Sequence, residues 1–238
     1  MSARLTPDRL GASTTIELKV GVQGGDGAVP PPLRSVALRY PEDLGIALSG
    51  LGLETCTASA LETSGPAACP PNSVMGHGSA LGEIPFGPEV IRERASVTVV
   101  RAEDEDGHIA LLFDAQGISP VVANIVFPGE LLPARRPYGG EISLSVPLVP
   151  SLPEAPDVAV VALEATIGPE GLTYYEQSHG ASVPYTPKGI LLPDHCPRGG
   201  FPFAAALSFE GGQLSRASTH VRCPARTSRR RAQRRRRA

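Results

Sequence analysis

Residues 56–100 read CTASALETSGPAACPPNSVMGHGSALGEIPFGPEVIRERASVTVV. Two cysteines bracket a short run, 57–63, in which Thr57 is a helix cap and Ala60 and Leu61 favour helix. Gly65 and Pro66 end it after about two turns. A glycine-punctuated extended stretch, 73–84, follows. Pro85, Gly87 and Pro88 then make a corner that does not belong inside a central strand. The run 90–101 is apolar and β-branched, and it predicts a long strand. The whole stretch reads as a stapled corner that feeds the core of an all-β domain.

Working outward, the same grammar recurs. In 15–22, Ile16, Leu18, Val20 and Val22 share one face, with Glu17 and Lys19 on the other. That alternation predicts a half-buried strand. Strands are likewise predicted over 35–40, over 158–167, over 203–209 with Phe203, Ala205, Leu207 and Phe209 on one face, and over 214–223. A short one is expected at 46–48. The runs 109–113 and 121–127 are apolar on both faces and predict central strands. The run 141–148 alternates most cleanly, and Pro147 near its end predicts an edge strand. Asp106-Gly107 marks a hairpin. No βαβ rhythm is present. The expected fold is an antiparallel β-sandwich, jelly-roll or Ig-like, of about ten strands with one short helix and two disulfides. One domain is expected over 14–224, after a lead-in at 1–13 and before a disordered Arg-rich tail at 225–238.

Composition sets the limits. The chain has 238 residues, 41% hydrophobic, enough for one large core. Gly 26 and Pro 25 suit many short strands joined by turns. Trp is absent and aromatics are 5%, so the core is built from aliphatic side chains, and ring-lined sugar platforms are disfavoured. The formal charge of −2 hides an asymmetry. Residues 226–238 hold 8 Arg, and without them 14 basic residues face 24 acidic ones, a net of −10. The run containing Arg229, Arg230, Arg231, Arg234, Arg235, Arg236 and Arg237 would bind a polyanion such as an anionic cell-wall polymer, nucleic acid or anionic lipid. It carries no aromatics for stacking on bases. The bland alternative is a solvated tail.

Cys56, Cys69, Cys196 and Cys223 are an even set with no C-x-x-C pair, which favours two disulfides over a zinc site. Four cysteines allow three connectivities. Disulfides imply an oxidising compartment. The start, MSARLTPDRLGAS, has no apolar signal core, and no run of about 20 apolar residues is present for a membrane helix. The expectation is an extracellular or cell-surface protein whose leader lies outside the given sequence.

Catalytic signals are weak. His77 in Gly-His-Gly-Ser lacks a nucleophile elbow, and its glycines read as close backbone approach. Glu176 and His179, and Asp194 and His195, are the candidates for a hydrolase whose residues are scattered through the chain. Tyr174 and Tyr175 beside them read as edge packing. Asp104, Glu105 and Asp106 lack the further ligands of a calcium loop. The glycines at 24–27 lack the Lys-Ser/Thr of a phosphate loop. His195 and His220 would meet if Cys196 and Cys223 were bridged. No metal and no cofactor is expected.

Four stretches, LTPDRLGASTTI, LRYPEDLGIALSGLGLETC, CPPNSVMGHGSALGEIPFGPEVI and PKGILLPDHCPRGGFPFAAALSF, together resemble a family of uncharacterised exported proteins of actinobacteria. The resemblance covers most of residues 5–224 and not the tail. It implies an exported location and cysteine pairing, taken as Cys56–Cys69 and Cys196–Cys223. It implies no reaction. The leading expectation is a non-enzymatic structural or binding module, with a carbohydrate-active or other hydrolase and a polyanion binder as the alternatives.

Overall fold

The computed structural model describes residues 1–46, 49–119, 122–149, 151 and 156–224. The Arg-rich tail lies outside the described residues. In chain order the elements begin with β1 (Ser2–Thr6), β2 (Ser13–Gly21), β3 (Leu33–Pro41) and α1 (Ala58–Ser64), the one α-helix among the described residues. Then come β4 (Val74–Phe86), β5 (Glu89–Arg101), β6 (Ile109–Ser119), β7 (Asn124–Pro133) and β8 (Tyr138–Ser145). After them run β9 (Ala159–Ile167), β10 (Tyr174–Ser178), β11 (Ala181–Tyr185), β12 (Ile190–Leu191), β13 (Phe201–Phe209) and β14 (Leu214–Val221).

The fold is antiparallel and all-β, with one helix and two disulfides. Its two layers arise from one large sheet that curls on itself in the order β1-β2-β9-β4-β5-β6-β7-β8-β3-β13-β14, with β12 joined to β2. β1 and β14 come into contact, so the sheet is nearly closed. Ser2–Thr6, within the stretch read as a lead-in, pairs along β2 from Ser2↔Lys19 to Thr6↔Thr15. β8 lies between β7 and β3, which corrects the edge assignment. Pro147 falls beyond the end of the strand, so its missing N–H costs the ladder nothing.

Local chemistry explains the corners. In the β4–β5 hairpin Phe86 pairs with Glu89, and the two-residue loop starts with Gly87 at φ 60°. Glycine takes that conformation without the steric penalty a Cβ brings. The Asp106-Gly107 turn has φ 50° and 79°, the paired positive values of a tight hairpin. Cys56 and Cys69 are bridged with Cα atoms 5.3 Å apart, and Cys196 and Cys223 with 5.9 Å. The first bridge spans α1. Thr57 caps that helix by accepting a bond from the Ala60 N–H (3.3 Å), and Leu61 is wholly buried beneath it. The Cys56 N–H donates to the Arg101 carbonyl (2.8 Å), and the Asn124 side chain donates to the Leu61 carbonyl (3.0 Å). The stapled helix is thus fastened over the outer face of β5–β7, where Val100 and Leu112 join Cys56, Leu61 and Cys69 in a small core.

The main core fills the interior. Ile16, Leu18 and Val20 of β2 and Phe201, Phe203, Ala205, Leu207 and Phe209 of β13 are buried there, at the period of two that a strand imposes. No helix among the described residues is long and apolar enough to cross a membrane.

Candidate functional site

The opposite wall of the sheet is built differently. Its inward positions are Gly78, Ala80 and Gly82 on β4, Ala95 and Val97 on β5, and Ala115 and Gly117 on β6. These side chains are too small to reach across to Leu33, Val36 and Leu144 on the facing strands. A cavity of about 160 Å³ is left between them, and its lining is almost entirely apolar. Phe113 and Phe127, stacked with ring centroids 5.5 Å apart, form part of the wall. Ala95, Val97, Ala115, Ile125, Phe127, Val160 and Leu163 face inward yet remain only half-buried, whereas Phe201, Phe203 and Phe209 are fully buried. The void therefore communicates with solvent.

Glycine is required on this wall for a second reason. A Cβ at Gly76 or Gly78 would collide with the carbonyl oxygens of Thr166 or Glu164 on β9. The close approach read from Gly-His-Gly is thus real. His77 lies between the two glycines on the outer face and is exposed.

Glu93 lies on the same inward face of β5 as Ala95 and Val97. It lines the cavity at 8% exposure. Its neighbours Arg92 and Arg94 are exposed on the other face, and Arg92 pairs there with Glu83 at 3.1 Å. Burial raises the Glu93 carboxyl above its ordinary value. Sequence reading missed this residue inside an exposed-looking RERAS run. Its parity with Ala95, Val97 and Val99 was the available signal.

A second buried acid lies behind the wall. Asp114 follows Leu112 on the outward face of β6, under α1, and is 1% exposed. Desolvation pushes its carboxyl up. The amides of Asn124 and Gln116 flank it and draw it down, but neither closes a hydrogen bond to its oxygens.

The sequence candidates divide into two places. Glu176 is exposed on β10, and His179 sits at the β10–β11 turn with φ 51°, its ring bonded among the described residues only to Ser178 (3.1 Å). Tyr174 anchors this hairpin. Its hydroxyl donates to the Val74 carbonyl and accepts from the Gly52 N–H, and its ring meets Tyr185 edge-on. Asp194 and His195 form a separate pair. The Asp194 carboxylate contacts His195 Nδ1 at 2.9 Å, and Asp43, which sequence reading missed, lies 3.8 Å from Nε2. Asp194 raises the imidazole above its usual value. His195 is 72% exposed. Among the described residues it has no hydroxyl or thiol partner to activate. His220 lines the same shallow depression beside the Cys196–Cys223 bridge, as the pairing implied. No group of three or more His, Cys, Asp or Glu able to hold a metal ion occurs among the described residues.

No protein-family model, curated protein or solved structure matches this chain.

Proposed function

We propose that the protein is a non-enzymatic binding module acting outside the cytoplasm, and that it takes a small apolar molecule into the cavity between β4–β6 and the facing strands. One observation carries the reading. A wall of seven small or modest inward residues leaves a solvent-connected apolar void beside a core in which the inward side chains of β2 and β13 are buried. Native interiors are close-packed, and a void of this size costs stability unless something occupies it. A cavity of about 150 Å³ with apolar walls is known to hold a benzene ring. The two disulfides support an oxidising compartment.

Toluene tests the reading. Added to the protein, it is expected to shift the NMR signals of Ala80, Ala95 and Ala115 and to leave those of β14 in place. An Ala115→Leu variant, which fills the void, is expected to lose the response while staying folded. Equal responses in the two proteins, or none in the wild type, would sink the reading.

The exposed His195 between Asp194 and Asp43 is read as a surface ion cluster that steadies the loop before β13, not as a hydrolase centre. The Arg229–Arg237 run is assigned to polyanion contact. Retention on heparin is expected to fall sharply when residues 225–238 are deleted, and retention that survives the deletion would reject the assignment.

A further inference from the structure

Two acids border the cavity, and they differ in what they face. Glu164 turns its carboxylate to the outer surface, where Lys19 meets it at 2.8 Å. Glu93 points inward at 8% exposure, and among the described residues it has neither a hydrogen bond nor an ion pair. The two arginines that flank it in sequence are on the far side of the strand. A glutamine or an aliphatic residue would satisfy the fold at lower cost, because a carboxylate held in an apolar wall is expensive without a partner. Gly82, the residue paired with Glu93 across the ladder, brings no side chain of its own, and a Val158 methyl group lies over it.

From the unpartnered Glu93 carboxyl on the wall of an otherwise apolar void, we propose that the cavity selects a small apolar amine bound as its ammonium ion. This inference rests on the reading of the cavity as a binding site. The apolar part, about one ring in size, fills the space between Ala80, Ala95, Ala115 and Phe113. The ammonium group donates to Glu93 and supplies the positive charge the wall lacks. A carboxylate ligand would be repelled by Glu93, and a neutral alcohol would gain only an uncharged hydrogen bond. Charge-assisted bonds of this kind are about twice as strong as neutral ones.

Three ring compounds of one size separate the possibilities: benzylamine, benzyl alcohol and benzoate. Each is titrated at pH 7 into the full chain, with the methyl signals of Ala80, Ala95 and Ala115 as the readout, so that anion contacts with the Arg-rich tail do not register. Benzylamine is expected to bind about tenfold more tightly than benzyl alcohol, with benzoate weakest. Glu93→Gln is expected to erase the advantage of the amine and to retain benzyl alcohol binding. Equal affinity for amine and alcohol in the wild type would overturn the role given to Glu93. So would an amine preference that survives in Glu93→Gln, or benzoate as the tightest ligand. In each of those cases the cavity itself stands. If none of the three compounds moves the methyl signals, the cavity reading falls, and this inference falls with it.

Discussion

β13 and β4 are both strands of one sheet with one face turned inward, yet they do opposite things with that face. β13 reads FPFAAALSF and sends Phe201, Phe203, Leu207 and Phe209 into the interior, each nearly or wholly buried. β4 reads VMGHGSALGEIPF and offers Gly76, Gly78, Ala80 and Gly82 before Ile84 closes the row. One wall packs and the other recedes. The hollow wall gains its packing from behind: the disulfide-bound helix covers the outward face of β5–β7 and buries Val100 and Leu112 there. A sheet can thus give up inward contacts along several strands if a second small core supports it from outside.

The largest way to break this contrast is to make the filled wall resemble the hollow one. Phe203→Ala removes a ring that is 1% exposed. It is expected to lower stability by about 3–5 kcal/mol in urea unfolding. A loss under about 1 kcal/mol would mean that β13 is no better packed than β4.

Next comes the outer support. Replacing Cys56 and Cys69 together by alanine opens a bridge across 13 residues and is expected to cost about 3 kcal/mol. Hydrogen exchange is expected to quicken first in β5–β7 and last in β13 and β14. Uniform loosening would show that α1 is not the specific support of the hollow wall.

Asp114 offers a smaller and pH-dependent test. Its folded carboxyl titrates above the unfolded one, so the stability it contributes is fully present below the unfolded value. That contribution is lost as pH rises through the folded value. At neutral pH the buried, unbonded carboxylate therefore costs stability, and Asp114→Asn is expected to gain about 1–2 kcal/mol. The gain is expected to shrink toward zero as the pH falls into the acid range. A gain unchanged by pH would place the effect elsewhere.

The smallest effect is expected from filling the void. Ala80→Leu is expected to change stability by less than about 1.5 kcal/mol in either direction, because the added atoms enter existing space. A large loss would mean the wall cannot accept them and the cavity is narrower than its volume implies.

Much of this architecture was legible in the sequence, for reasons that particular residues make clear. Alternation placed β2 and β13 and their core faces, because period two is a local property. Thr57, Gly65 and Pro66 bounded α1 because caps and breakers act within a turn. Asp106-Gly107 announced its hairpin by the same locality. Pro147 misled, since a proline just past a strand looks the same in sequence as one on an edge. The hollow wall was not legible. Glycines on β4 signalled close backbone approach, and it took the neighbour order β4-β5-β6 to show that small residues from three strands line one space. Glu93 and Asp114 were missed for a related reason. Charge usually marks an exposed face, and only the partners across the ladder revealed that these two are enclosed.

The order of strands in the sheet also governs how the molecule is assembled. β4 to β8 are joined by successive hairpins and can pair as soon as each is made. β2 waits for β9, and β3 waits first for β8 and then for β13, with Ser35 and Ser208 sharing a hydrogen bond across 173 residues of chain. Ladders that close such long loops form slowly. Pulse-labelled exchange during refolding is therefore expected to protect β4–β8 first, leaving the apolar edges of β2 and β3 bare until the second half of the chain arrives. That interval is when a newly made copy is most exposed to sticking to its neighbours.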